Sequence, residues 1–259
     1  RNAGMRLAAM QPYFFPYLGY FQLIAAADRF LLYDNLNYMR QGWVHRNRIR
    51  LKGGGEFYCA APLLGASSNV RIRDVRVDPA GRWPGRFLDL LEHNYKKAPF
   101  YDEVFPAIEQ AVRRAATHLT TVNRHGILAV AEFLGIATPI VHDTAPFQPF
   151  EDAARAEQPS PWLAALAREL GTADVKTLRV LYLCRQARAD VYLNPPGGRE
   201  LYARDVFAQN GVALQFIQPT LAPYPQQGDG FLPGLSILDV LMNCGREGTR
   251  RQLPNCTLG

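Results

Sequence analysis

A short apolar run, Arg6–Met10, leads directly into Gln11-Pro12-Tyr13-Phe14-Phe15-Pro16, and this junction constrains the fold more than any other stretch. Each proline fixes its own φ and removes a backbone donor, and each pushes the residue before it, Gln11 or Phe15, toward extended geometry. No helix runs through the segment. From Met10 to Phe21 the chain carries two prolines and six aromatic residues in twelve positions, a large apolar area to leave in water. Beyond it, Leu18, Phe21, Leu23, Ile24 and Ala27 recur at helical spacing, and Phe30–Tyr33 is a second strand-like run closed by Asp34-Asn35. Strand, stiff loop, helix and strand within about thirty residues make a βαβ unit with a parallel pair. Ligands of such sheets gather where strands end, here at Gln11–Pro16 and Asp34–Tyr38. Two readings stay open for the aromatic loop. It is a plug packing helix onto sheet, or it is the wall of a pocket into which Gln11 aims its amide and to which Gly19 lets a ligand approach closely.

The remaining pattern predicts strands at Glu56–Pro62, Val70–Val77, Ile136–His142, Val191–Leu193 and Leu214–Gln218. It predicts helices at Arg86–Lys96, Tyr101–Leu119, Thr121–Leu134, from Ser160-Pro161 to Glu169, Thr177–Ala187, Glu200–Ala208 and Ser236–Cys244, with loops around Pro146–Pro149 and Pro195–Gly198. The fold expected is α/β: one domain over residues 5–259 with a parallel-sheet core and a mostly helical insertion over about 86–170. Arg1–Gly4, ahead of Met5, reads as an extension foreign to that fold. The apolar stretches fall far short of the roughly 20 residues that span a bilayer. No leader is read at the N-terminus, and Cys59, Cys184, Cys244 and Cys256 are scattered without paired spacing. These features point to a reducing cytoplasm and to neither a disulfide framework nor a metal site.

The chain is basic, with 29 Lys and Arg against 23 Asp and Glu. Arg40, Arg46, Arg48, Arg50 and Lys52 fall within thirteen residues with no acid between them, interleaved with Trp43, His45 and Asn47. On an extended strand Arg46, Arg48 and Arg50 point the same way, and guanidinium forks match phosphate oxygens. A solvated basic edge and an anion site for a phosphorylated or nucleotide-linked small molecule, or for the acceptor stem of a tRNA, are the alternatives. Asp34 and Asn35 at the neighbouring strand end would bind a sugar hydroxyl or an amine. Tyr95 and Lys97 would close over a phosphate, or Lys97 simply complements a helix dipole. His45 and His93 are the candidate acid–base groups. Ser236 with Asp239 reads as a capping-box variant, and Gln226 precedes a glycine-bearing loop that would act as a lid.

The aromatic opening resembles that of the WbqC-like family, and the likeness spans nearly the whole chain. It is carried further by Asp34-Asn35, Arg40-Gln41-Gly42-Trp43, Arg46-Asn47-Arg48-Ile49, Tyr95–Tyr101 and Phe231–Gly245. His45 departs from the family pattern, where an Asn is expected, and the segment at His142-Asp143-Thr144 lacks the family's paired serines. The resemblance implies a role in O-antigen or other surface-polysaccharide synthesis, with glycine transfer onto a sugar suggested for one member. It also raises Asp34, Arg40, Asn47 and Arg48 above the other candidates.

A weaker resemblance links Tyr17-Leu18-Gly19-Tyr20 to the His-x-Gly-His motif of nucleotidylyltransferases, implying a Rossmann-like core. Both histidines are tyrosines here, which donate hydrogen bonds but carry no positive charge. The WbqC-like resemblance implies transfer of an activated aminoacyl or related group, glycyl among them, onto an amine or hydroxyl of a sugar-like or small-metabolite acceptor in surface-glycan or secondary metabolism. Gln11, the Pro16–Tyr20 turn and Asp34 would form one wall, and Arg40, Asn47 and Arg48 would hold phosphate. Adenylation with ATP and Mg²⁺, and non-catalytic binding of tRNA or other nucleic acid through the basic stretch, are the alternatives. Tyr20 is catalytic or simply stacked.

Overall fold

The computed structural model describes residues 4–199 and 201–259. Residues 1–3, within the Arg1–Gly4 stretch expected to be foreign to the fold, and Glu200 at the start of the expected helix Glu200–Ala208, lie outside the described residues. β1 (Arg6–Met10) passes through the proline loop into α1 (Leu18–Ala26) and then β2 (Arg29–Leu32). The two strands pair in parallel, Leu7 opposite Arg29 and Met10 opposite Leu32. An antiparallel hairpin of β3 (Arg46–Arg50) and β4 (Glu56–Ala60) follows, then a small pair, β5 (Leu63–Leu64) with β6 (Arg76–Val77). Helices α2 (Gly85–Tyr95), α3 (Tyr101–Arg113) and α4 (Leu119–Phe133) precede β7 (Ile140–Val141), which joins β2. The chain continues through α5 (Gln148–Arg155), α6 (Pro161–Leu170) and α7 (Val175–Ala187) into β8 (Val191–Asn194). It ends with α8 (Arg204–Gln209), β9 (Ala213–Pro219), α9 (Ile237–Arg250) and β10 (Cys256–Leu258).

The main sheet has the order β10-β9-β8-β1-β2-β7. From β9 to β7 it is parallel throughout, and β10 runs antiparallel to β9. The chain builds outward from β1 to β7, then returns to lay β8 on the other side of β1. This is a Rossmann-like α/β core whose strand order reverses at β1. Side-chain alternation along the strands explains why helices cover both faces. Ala8, Phe30, Leu32 and Leu193 pack with α1–α4 and α9, whereas Leu7, Leu31, Tyr33 and Tyr192 pack with α5–α8.

Some expected elements change. Of Val70–Val77 only the end, Arg76–Val77, is a strand (β6): before it Val75 N–H closes a turn onto the Ile72 carbonyl, and Arg71 and Arg73 reach to Asp152 and Gln148. Ile136 does not begin a strand, because its N–H closes the end of α4 on the Ala131 carbonyl after Gly135 at φ +66°. The loop expected around Pro149 is the start of α5, where proline fits the first turn. The last helix runs past Cys244 to Arg250, broken at Gly245 with φ +67°. Phe15, expected to be extended, has φ +39°. No helix among the described residues is long and apolar enough to cross a membrane.

Candidate functional site

The reversal of strand order sets the carboxyl ends of β1 and β8 side by side, and a cavity of about 370 Å³ opens there. Tyr13, Tyr17, Trp43, Asn47, Pro195 and Gly234 line it. Tyr13 and Tyr17 come from the loop after β1, Trp43 and Asn47 from the approach to β3 and from β3 itself, and Pro195 directly follows β8. Gly234 belongs to the strap 220–235, which has no regular structure and joins β9 to α9.

The proline loop is held by its carbonyls. Gln11 accepts the Tyr20 hydroxyl at 2.8 Å, Pro12 accepts Asn123 Nδ2 at 2.8 Å, and Phe14 accepts Asn47 Nδ2 at 3.1 Å. Phe15 accepts Ser236 Oγ at 2.6 Å, and Pro16 accepts the Ile237 N–H at 2.9 Å. Asn47, Asn123 and Ser236 are all buried, so these bonds satisfy backbone groups that prolines and aromatics leave without a ladder. The left-handed Phe15 is maintained by this network and by its ring, which stacks on Phe87 and lies over Gly126. Strain of this kind at a cavity wall persists only where the surroundings over-determine it.

At the Trp43 side the ring stacks on Tyr58 at 6.2 Å and 9°. Arg48 lies over Trp43 at 5.7 Å and Arg46 over Tyr58 at 4.8 Å, a cation–aromatic ladder. Arg48 Nη1 pairs with Glu56 at 2.8 Å, and its Nη2 donates to the Gly234 carbonyl at 3.2 Å. Its Nε is buried without a partner. Burial pushes the Tyr13 hydroxyl above the ordinary tyrosine range, helped by Tyr17, and burial raises Tyr17 as well. Both therefore stand at neutral pH as uncharged hydroxyl donors.

Of the residues singled out from the sequence, Tyr17 and Asn47 line this cavity, and Arg48, Pro16 and Gly19 adjoin residues that do. Gly19 serves Tyr17 instead of a ligand: a Cβ there would lie 2.4 Å from Tyr17 Cε2. With the ring in that place, the site does not fit the adenine of ATP in the way the histidine motif would hold it. Tyr20 is 2% exposed among Tyr13, Phe21 and Phe30. Gln11 contributes a carbonyl to the loop network. Asp34 accepts hydroxyls from Thr120 and Thr144 at 2.8 and 2.9 Å. Asn35 is fully buried and donates to Gln148 at 2.9 Å.

His45 bonds through Nδ1 to the Tyr38 hydroxyl at 2.9 Å, and burial, with Arg46 beside it, pulls its pKa down. Arg40 is exposed and reaches the Ala66 carbonyl. His93 and Lys97 line a different cavity. Tyr95 is buried and donates to Asp239 Oδ1 at 2.7 Å. Asp239 is not a capping residue. Its Oδ2 accepts the Tyr224 hydroxyl at 2.7 Å, while Ser236 caps α9 alone, its Oγ accepting from Leu238 N–H. Gln226 anchors its loop, Oε1 accepting from both Arg50 and Leu232 N–H at 2.9 Å. Arg50 is an interior residue, 2% exposed.

Tyr13, Trp43, Asn123 and Pro195 went unassigned from the sequence. For Asn123 the available signal was a lone amide beside Val122 in an apolar helix. For Pro195 it was a Pro-Pro-Gly-Gly turn directly after a strand. Among the described residues no three His, Cys, Asp or Glu side chains gather as a metal site requires.

No solved structure matches the chain. It is similar to an uncharacterized protein of Mycobacterium tuberculosis (strain ATCC 25618 / H37Rv), Rv1507c, at 29% identity over 244 residues, covering 93% of this chain and 95% of that one. The model of the WbqC-like protein family matches residues 11–251, from the first residue of the proline loop to the end of α9, and the chain belongs to that family.

Proposed function

We propose that the chain is a transferase that moves an activated aminoacyl group, glycyl or a close relative, onto a sugar-like acceptor held in the cavity between β1 and β8. The observation that carries this reading is the lining itself. Three aromatic side chains, two of them with neutral hydroxyls, surround an amide at the crossover of an α/β sheet. Aromatic faces suit the apolar faces of a sugar ring, and the Tyr13 and Tyr17 hydroxyls suit its hydroxyl and amide groups, while Asn47 holds the wall through its own bonds to Phe14 and Arg48. An amine acceptor fits best, because the free amine attacks an activated acyl carbon without first giving up a proton. The C–N bond forms, the bond to the donor's activating group breaks as that group leaves with the electron pair, and the nitrogen then loses its extra proton to the leaving group or solvent. Rate enhancement would then come from orientation and from hydroxyl donors facing the developing oxyanion.

The basic stretch supports a local site more than a broad nucleic-acid surface. Arg46 and Arg48 are engaged with aromatic rings and Glu56, and Arg50 is interior. The test is a mass-spectrometric search for an acylated product after incubation with amino sugars, nucleotide-linked amino sugars and activated aminoacyl donors. The reading expects an adduct formed by the native chain and lost on Tyr17→Ala. Ligand binding without any adduct across the panel would make this a binding protein instead.

A further inference from the structure

A larger cavity, about 550 Å³, lies away from the sheet crossover, between the β3–β4 turn, α2 and the strap. Lys52, Asp89, His93, Lys96, Lys97 and Gln227 line it. We propose that it is a second binding site, for a phosphate monoester. Three exposed lysines share the lining with the carboxylates of Asp89 and Glu92. Lys96 is paired with Glu92 at 2.8 Å, whereas Lys52 and Lys97 carry no ion pair among the described residues. The Gln227 Nε2 is buried and has no acceptor, and a buried amide donor left unbonded is costly.

The walls are built from pinned segments. Asn94, 3% exposed, accepts the Lys52 N–H at 3.1 Å and donates to the Leu90 carbonyl at 2.9 Å, fixing the turn on α2. Arg50 holds the strap through Gln226 and the Asp229 carbonyl. Gly228 comes so close that a Cβ there would stand 3.2 Å from Gly54 Cα.

The ligand chemistry follows from this inventory. A tetrahedral phosphate offers acceptors to Lys52 and Lys97, and to the Gln227 amide once that side chain turns into the cavity, and a monoester's double charge matches the two unpaired lysines. Asp89 faces the same space and would accept a hydroxyl of the esterified group. The volume is that of a small-molecule site. The inference does not rest on the transferase reading, because the two cavities have no lining residue in common.

Calorimetric titration with glucose 1-phosphate tests it, with glucose, inorganic phosphate and sulfate as comparison ligands. The expected result is binding of the monoester, weaker binding of inorganic phosphate, and none of glucose. Affinity for the monoester should fall at least tenfold in Lys52→Gln/Lys97→Gln and several-fold in Gln227→Leu, and stay unchanged in Trp43→Ala. Lys97→Gln alone, at an exposed position, should give a several-fold loss whatever the double variant does to folding. No binding by the native chain, equal binding of sulfate and the monoester, or unchanged affinity in the lysine variants would overturn the proposal. A loss in Trp43→Ala would place the ligand in the crossover cavity instead.

Discussion

Asp239 joins the hairpin, α2 and the strap through a single carboxylate. It is fully buried, accepts Tyr95 and Tyr224 hydroxyls, and sits near enough to Arg50 to feel its charge. Burial nevertheless dominates and holds its carboxyl above the ordinary aspartate range. The sign of the pH effect follows. A carboxyl whose folded pKa is raised stabilises the fold fully below its unfolded pKa and loses that advantage as pH climbs through the folded value. Asp239→Asn has no such titration. Urea unfolding at pH 4, 5.5 and 7 should therefore show the native chain losing stability relative to the variant as pH rises, and a gap widening in the native chain's favour would contradict this. Tyr95→Phe leaves a buried carboxylate oxygen short of a donor and should cost about 1.5–3 kcal/mol at pH 7 in the same assay. At Gly19 the constraint is space. Gly19→Ala drives a methyl into the Tyr17 ring and should cost about 1–3 kcal/mol while reshaping the cavity wall.

At the scale of elements, the proline loop and α9 form one unit. Ser236 is fully buried, donates to Phe15 and caps α9 in the same stroke. Ser236→Ala should destabilise by about 1–2 kcal/mol in chemical denaturation, with the Phe15 carbonyl left unbonded. On the other face of the sheet, Glu151 on α5 is 2% exposed and is gripped by Arg179 of α7 and by the Tyr33 hydroxyl at 2.6 Å. Arg179→Ala strands that carboxylate and should cost about 3–5 kcal/mol.

These elements also show what was legible in the sequence. The βαβ opening, the Ser160 cap and the closing helix were, because each depends on residues within a few positions of one another. The holding of the proline loop was not, since its donors are at positions 20, 47, 123, 236 and 237 and meet only in three dimensions. Val70–Val77 alternates as a strand would, yet only Arg76–Val77 pairs with a neighbouring strand, β5, while Arg71 and Arg73 find partners on α5. Phe15 breaks the rule for a residue before proline because Ser236 and the Phe87 ring impose a conformation that local preference opposes.

For the whole molecule, the positive excess acts locally. The basic stretch divides among a rim at Trp43 and Tyr58, an interior anchor at Arg50, and Lys52 in the second cavity. The cavity that matters most to the proposed reaction was foreseeable in kind, as a pocket at the end of β1. Its other half was not, because nothing local indicates that β8, far along the chain, returns to the open side of β1. The central claim is that this crossover cavity binds the acceptor, and thermal unfolding with a panel of nucleotides, nucleotide-linked sugars and aminoacyl donors tests it most directly. A ligand that binds only the folded chain raises its Tm. The account predicts that at least one sugar-bearing member raises the native Tm, with the shift abolished in Trp43→Ala while that variant still unfolds cooperatively. No shift of the native chain by any sugar-bearing member, or survival in Trp43→Ala of every shift that a sugar-bearing member gives, would contradict it.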